Sequence, residues 1–172
     1  MVFYYLKHRN KRHEPAGNLK EYPMVTLQLP LYNEYYVVER LLKAACAMDY
    51  PKDKLEIQVL DDSTDETIAT VANLVEHYRQ IGFDINHVRR DSRTGFKAGA
   101  LKEGLKTAKG EFVAIFDADF VPSPDFFEKT LPYFYMDSKI GLVQTRWEHL
   151  NSDYSFLTRV QAMALDGHFV IE

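Results

Sequence analysis

Apolar and polar residues alternate from Val25 to Leu29, the two-residue period of a strand, and Pro30 ends it. Beyond Leu31-Tyr32-Asn33-Glu34 the period changes, and Val37, Val38, Leu41, Leu42, Ala45 and Met48 share one face of a helix near residues 35–48. Leu55 to Leu60 is a second strand. Ser63 and Glu66 form a capping box ahead of a helix on which Ile68, Val71, Val75 and Tyr78 recur at helical spacing until Gly82 stops it. A weaker strand from Phe83 to Val88, a polar loop over residues 89–96 and a short helix near residues 97–108 follow. Phe112 to Phe116 is a continuous apolar run, as expected of a central parallel strand covered on both faces. Ser123-Pro124 reads as a helix start with proline at the first position, Gly141 to Thr145 as another strand, and residues 153–171 as a final helix.

Strands that alternate with helices predict an α/β fold with a mostly parallel central sheet flanked by helices and joined by right-handed crossovers. Ligands of such sheets collect at the carboxyl ends of the strands. Residues 1–22 stand apart from this pattern. MVFYYL is apolar and aromatic, and Lys7, His8, Arg9, Lys11, Arg12 and His13 follow at once. Aromatic anchors followed by positive charge is the order found at the cytoplasmic end of a spanning helix. The chain therefore divides into a membrane-proximal segment and basic linker, 1–22, and a folded domain, 23–172.

Composition narrows the function classes. With 46% hydrophobic and 27% charged residues, the 172-residue chain has the balance of one folded domain rather than a disordered one. Its formal charge of −4 comes from interspersed signs without a broad basic stripe, which argues against nucleic acid as a partner. The single cysteine, Cys46, excludes an internal disulfide and reads as a small core residue.

The chemistry lies where strands end. The first runs out into Pro30, Tyr32 and Glu34, the second into Asp61 and Asp62, and the apolar run into Asp117-Ala118-Asp119. In a parallel sheet these groups share one edge, and so many carboxylates around one cleft are costly unless something positive occupies it. Asp117 and Asp119, two apart on an extended segment, point the same way. Oxygen ligands on that spacing suit Mg²⁺ or Mn²⁺ with positions left for phosphate oxygens. Lys97 sits where Gly95 leads into a helix, and a lysine beside helix N–H groups forms an anion site. Asp62 can accept hydrogen bonds from a nucleobase N–H while Tyr32 contacts its face. Each feature has a plainer reading. Asp-x-Asp is common in turns, Asp65 and Glu34 serve as helix-start charge, and a lone lysine is usually solvated.

Taken together, QLPLYNE, IQVLDDSTDET, RTGFKAGALKEGL, FVAIFDADFVPSPDF, GLVQTRWEHLNSD and LTRVQAMALDGHF make the chain resemble the family 2 inverting glycosyltransferases of the GT-A fold. Within them it is most similar to the cellulose-synthase-like glucomannan and mannan synthases. The resemblance spans nearly everything from residue 23 onward. It implies that Pro30, Tyr32, Glu34, Asp61 and Asp62 bind the nucleotide, that Lys97 lies near the donor diphosphate, and that Asp117 and Asp119 are the Asp-x-Asp motif, the second carboxylate on the metal and the first on the sugar or ribose. Gln144, Arg146 and Trp147 match a segment typical of the synthases. The implied partners are a nucleotide-diphosphate sugar of the UDP-glucose or GDP-mannose type, a glycan or lipid-linked acceptor, and a membrane. The domain would face the cytoplasm, at the inner membrane in bacteria or at the Golgi in a plant-like setting.

One departure counts against activity of the chain by itself. The family's catalytic base, in a Thr-Glu-Asp motif, and its Gln-x-x-Arg-Trp acceptor motif are expected downstream of Glu172, as are spanning helices. The chain then reads as a GT-A domain truncated at its C-terminus, with no catalytic base inside it, which leaves a non-catalytic donor-binding module as an alternative. A second alternative is a phosphatase of the haloacid-dehalogenase type with Asp117 as nucleophile, since Asp117 to Val121 meets that motif literally. A dinucleotide dehydrogenase is disfavoured, because no Gly-x-Gly-x-x-Gly follows the first strand.

Overall fold

The computed structural model describes residue 19, residues 21–145 and residues 154–161. The aromatic and basic N-terminal segment, Arg146, Trp147 and most of the expected final helix lie outside the described residues. Residues 156–161 are helical. Asn18–Leu131 form one compact unit, and the described residues from Pro132 onward belong to a second. Among the described residues no helix is long and apolar enough to cross a membrane.

Four parallel strands build the first unit: β1 (Val25–Leu31), β2 (Leu55–Asp61), β3 (Asp84–Val88) and β4 (Phe112–Ile115), in the order β3-β2-β1-β4. The helices between them are α1 (Val38–Cys46), α2 (Thr67–Gln80) and α3 (Phe96–Leu105), with the short α4 (Phe126–Thr130) after β4. From β1 to β3 the chain steps one way across the sheet, so right-handed crossovers put α1 and α2 on one face, where they pack together. From β3 it returns past β2 and β1 to β4, which puts α3 on the opposite face, against β1 and β2. The strand order therefore reverses between β1 and β4. That junction is the crevice where doubly wound sheets hold ligands.

The alternation in β1 does not produce a wet face. Thr26 and Gln28 are as buried as Leu27 and Leu29, because α3 covers that side. Their polarity is absorbed across the strand pair. Thr26 Oγ1 donates to Glu56 Oε2 at 2.6 Å, Gln28 Nε2 to Gln58 Oε1 at 3.0 Å, and Gln58 Nε2 to Thr107 Oγ1 at 3.3 Å. Pro30 does not end the strand either. It pairs in register with Leu60, and β1 runs on to Leu31. Gln28 accepts from Phe116 N, so even-numbered residues of β1 face β4, which has ended by then. The N–H that proline lacks is not needed there.

Other expectations shift for physical reasons. The run from Phe112 lies at the sheet edge among the described residues, not at its centre, and Val113 and Ile115 are 38% and 47% exposed. The first helix begins at Val38, since Tyr35 and Tyr36 are exposed and Glu34 O accepts from both Val37 N and Val38 N in a turn. The capping box does not form. The Ser63 hydroxyl accepts from Asn33 N, and the Asp65 carboxylate takes the Thr67 N–H at the start of α2. Helix α4 starts at Phe126 behind Asp125, two residues after Pro124. Residues 141–145 carry no strand, and Leu142, the apolar residue a strand would have to bury, is 79% exposed.

Entry into β4 is tight. Gly110 N donates to Thr26 Oγ1 at 2.8 Å, and a Cβ at Gly110 would lie 2.3 Å from Thr26 N. Because the obstruction is backbone, Gly110→Ala is expected to lower the unfolding free energy by about 1–3 kcal/mol. A urea midpoint equal to wild type would show that this turn yields freely.

Candidate active site

The β1 exit is folded back by Asn33, which adopts φ 57, a left-handed conformation that asparagine tolerates. Its N–H donates to Ser63 Oγ at 2.8 Å and its Oδ1 accepts from Thr64 N at 2.9 Å. These bonds tie the loop after β1 to the loop after β2. They set Tyr32 and Glu34 beside Asp62 on one cleft of about 400 Å³. Pro30, Lys97, Asp117 and Asp119 line the same cleft.

Asp117 and Asp119 reach it by a different route from the extended one expected. A turn closes between them, with Phe120 N donating to Asp117 O at 3.1 Å and Ala118 buried inside. The segment that follows is held down by rings. Phe116 lies 4.7 Å from Phe126, Phe127 packs on Tyr50 at 4.9 Å, and Pro124 O accepts from Asp49 N. The Lys97 ammonium pairs with Asp117. Lys97 is in the first turn of α3, whose entry uses left-handed Gly95 and Phe96, φ 75 and 49. Gly99 permits that entry, because a Cβ there would sit 2.0 Å from Thr94 O.

Asp61 is the exception among the expected residues. Its side chain is fully buried and turned away from the cleft. His87 Nε2 lies 2.8 Å from its Oδ2, and Ser63 N donates to Oδ1 at 2.9 Å. Burial would raise this carboxyl, but the hydrogen bonds from His87 and Ser63 outweigh it and hold it below the usual carboxylate range. Asp61 thus fixes the turn that presents Asp62.

Two arginines enter the site that the strand-end reading passed over. Arg90 grips Asp62 as a fork, Nε to Oδ1 at 2.7 Å and Nη2 to Oδ2 at 2.5 Å, a geometry that also raises the pKa of the guanidinium. Two of its three remaining N–H groups donate to Thr94 O and Phe96 O. Arg93 lies over the Tyr32 ring, its guanidinium carbon 3.3 Å from the centroid. The signal was present in the sequence: the loop after the third strand, Arg89 to Gly95, is rich in arginine and ends on the same sheet edge.

Chemically, the cleft offers an aromatic face, a carboxylate with lone pairs to spare, a lysine at a helix start paired with Asp117, and the exposed carboxylate of Asp119 at the strand-order reversal. Among the described residues no group of three or more His, Cys, Asp or Glu side chains is placed to hold a metal alone. Asp117 and Asp119 fit instead an ion such as Mg²⁺, which takes one or two carboxylates and completes its shell with substrate phosphates.

The model of glycosyl transferase family 2 matches residues 26–163. The chain belongs to that family. Among its family 2 relatives, probable glucomannan 4-beta-mannosyltransferase 7 of Oryza sativa subsp. japonica is 49% identical over 88% of this chain and 27% of its own length. Glucomannan 4-beta-mannosyltransferase 9 of Arabidopsis thaliana is 46% identical over 88% of this chain and 29% of its own. The chain thus spans less than a third of these relatives. Among solved structures, mannosyltransferase PcManGT from Pyrobaculum calidifontis, in complex with GDP-Man and Mn2+, superposes with a TM-score of 0.68 at 33% identity, over 77% of this chain and 39% of that one. The fold is the GT-A type. The family 2 match runs through both sides of Asp117-Ala118-Asp119, which replaces the phosphatase reading of those residues.

The Asp61 contacts have a measurable consequence. Asp61→Ala leaves the Ser63 N–H without its acceptor and should lower stability by about 1–3 kcal/mol at pH 7. Because the folded-state pKa is depressed, this contribution is fully present above the unfolded value near pH ~3.9 and is lost as pH falls through the folded-state value. Urea unfolding of both proteins at neutral and acid pH tests this; a difference that does not shrink in acid contradicts it.

Proposed function

We propose that this protein is an inverting glycosyltransferase that transfers a mannosyl group from GDP-mannose to a growing β-glucomannan or mannan. The observation that carries the reading is the convergence of Tyr32, Asp62, Lys97, Asp117 and Asp119 on one cleft at the strand-order reversal. The names of the relatives and the GDP-Man in the Pyrobaculum calidifontis neighbour support mannose over glucose.

In this reading the base stacks on Tyr32 and its edge meets Asp62. A carboxylate offers about four lone-pair sites. Arg90 takes two, which leaves acceptors for adjacent N–H groups of guanine. Pro30 and Glu34 shape the same end of the cleft, and Asp61 acts through the turn that holds Asp62. Lys97 serves the diphosphate, and Asp117 faces the ribose or sugar. A divalent cation held by Asp117 and Asp119 would supply charge neutralisation for the departing nucleoside diphosphate. The acceptor hydroxyl gives its proton to a general base that is not one of these cleft residues. It attacks the anomeric carbon as the bond to the nucleoside diphosphate breaks on the opposite side, which inverts the configuration.

We extend the proposal to a membrane-associated protein whose catalytic domain faces the cytoplasm. Its support is the order of aromatic and then basic residues in 1–13.

Calorimetric titration of GDP and UDP, with and without Mn²⁺ or Mg²⁺, tests the core of the reading. GDP should bind more tightly with the metal than without. Asp119→Ala should weaken the metal-dependent part by at least on the order of tenfold while the unfolding midpoint stays near wild type. Metal-independent binding, or an Asp119→Ala protein that binds as well as wild type, would remove the assignment.

A further inference from the structure

Among the described residues, Arg93 is the cleft-lining cation that lies over an aromatic ring instead of gripping a carboxylate. Its guanidinium carbon lies 3.3 Å from the Tyr32 centroid and 5.1 Å from that of Phe96. Its Nε is 4.0 Å from Asp62 Oδ2, beyond hydrogen-bond reach. Arg90 and Lys97, by contrast, are engaged with Asp62 and Asp117. Arg90 also holds the loop backbone at Thr94 and Phe96, so the stem of Arg93 is rooted at the mouth of the cleft. Its side chain is 38% exposed, so solvent rather than packed protein covers part of it.

A separation of 3.3 Å is about the thickness of one aromatic plane. The guanidinium therefore fills the slab that a flat ligand stacked on Tyr32 would occupy, and the two cannot share that face. The contact given up is an exposed cation–π contact, which is weak, whereas base-on-aromatic stacking is stronger. A guanidinium plane can then stack on the outer face of the base. The long side chain on its rooted stem needs to shift by only one ring thickness.

We propose that Arg93 is the second jaw of a nucleobase clamp: the base of the donor takes the Tyr32 face, and the Arg93 guanidinium closes on the base from the other side. This rests on the nucleotide-sugar reading above. The clamp reads a plane and not an edge, so it acts on guanine and uracil alike and leaves discrimination between them to Asp62.

The test is calorimetric titration of wild type, Arg93→Ala and Arg93→Lys with GDP, UDP and inorganic pyrophosphate in Mg²⁺. For whichever nucleotide wild type binds, Arg93→Ala should lose affinity by on the order of tenfold. Arg93→Lys, which keeps the charge but not the plane, should stay closer to Ala than to wild type. Pyrophosphate, which has no base, should bind all the folded proteins alike. Should the alanine protein fail to fold, the lysine variant decides by the same comparison. Unchanged or tighter nucleotide binding in Arg93→Ala overturns the clamp, the tighter result marking a plug. Equal losses for pyrophosphate, or full rescue by lysine, overturn it by showing that charge alone acts. A wild-type chain that binds neither nucleotide overturns the donor reading as well, whereas wild-type binding with an indifferent Arg93→Ala overturns the clamp alone.

Discussion

Negative charge gathered at one sheet edge has to be balanced, and the rest of the site follows from how this chain does it. The parallel strands β1, β2 and β4 deliver Glu34, Asp62, Asp117 and Asp119 to one cleft. The answering cations Arg90, Arg93 and Lys97 all come from one stretch, the loop after β3 and the first turn of α3. That loop must turn sharply to place them. It does so with left-handed Gly95 and Phe96 and with a glycine at 99 that lets Thr94 O lie against the helix. A non-glycine residue such as Phe96 in that conformation is uncommon, and strain of this kind concentrates at functional sites. Lys97 on Asp117 and Arg93 on Tyr32 are the pairings that the proposed donor and cation would rearrange.

The far side of the sheet supplies rigidity of another kind. Glu56 is buried, yet it accepts from Thr26 Oγ1 and from Lys109 N, and the Lys109 ammonium lies 3.8 Å from it. Gln28 and Gln58 continue the ladder under α3, with Gln28 Oε1 left as a buried acceptor without a partner among the described residues. Gly104 brings the helix close enough to touch both amides, since a Cβ there would come within 2.6 Å of Gln28 Nε2. Polar pairs cross-linked under a helix resist register slips, because moving one strand by a residue would strand each partner in the core. The helix carrying Lys97 is thereby held to the two strands that carry Tyr32 and Asp62.

The sequence by itself determined the alternation of strands and helices, the parallel sheet, and the set of strand-end residues from Pro30 to Asp119. Those depend on local periodicity and on the rule that parallel strands share an edge. The family motifs were equally legible, since they lie in contiguous stretches. What only the tertiary structure decided is which neighbour each polar group finds. Asp61 and Asp62 are adjacent in the chain, but a strand turns successive side chains to opposite sides, so one is buried on His87 and the other opens to the cleft. Ser63 was free to cap a helix until Asn33, thirty positions away in the chain, came within 2.8 Å. The edge position of β4 and the burial of Thr26 and Gln28 follow from the order of strands and the side on which α3 lands. Arg93 on Tyr32 joins residues from two different strand exits, a meeting that no local pattern encodes.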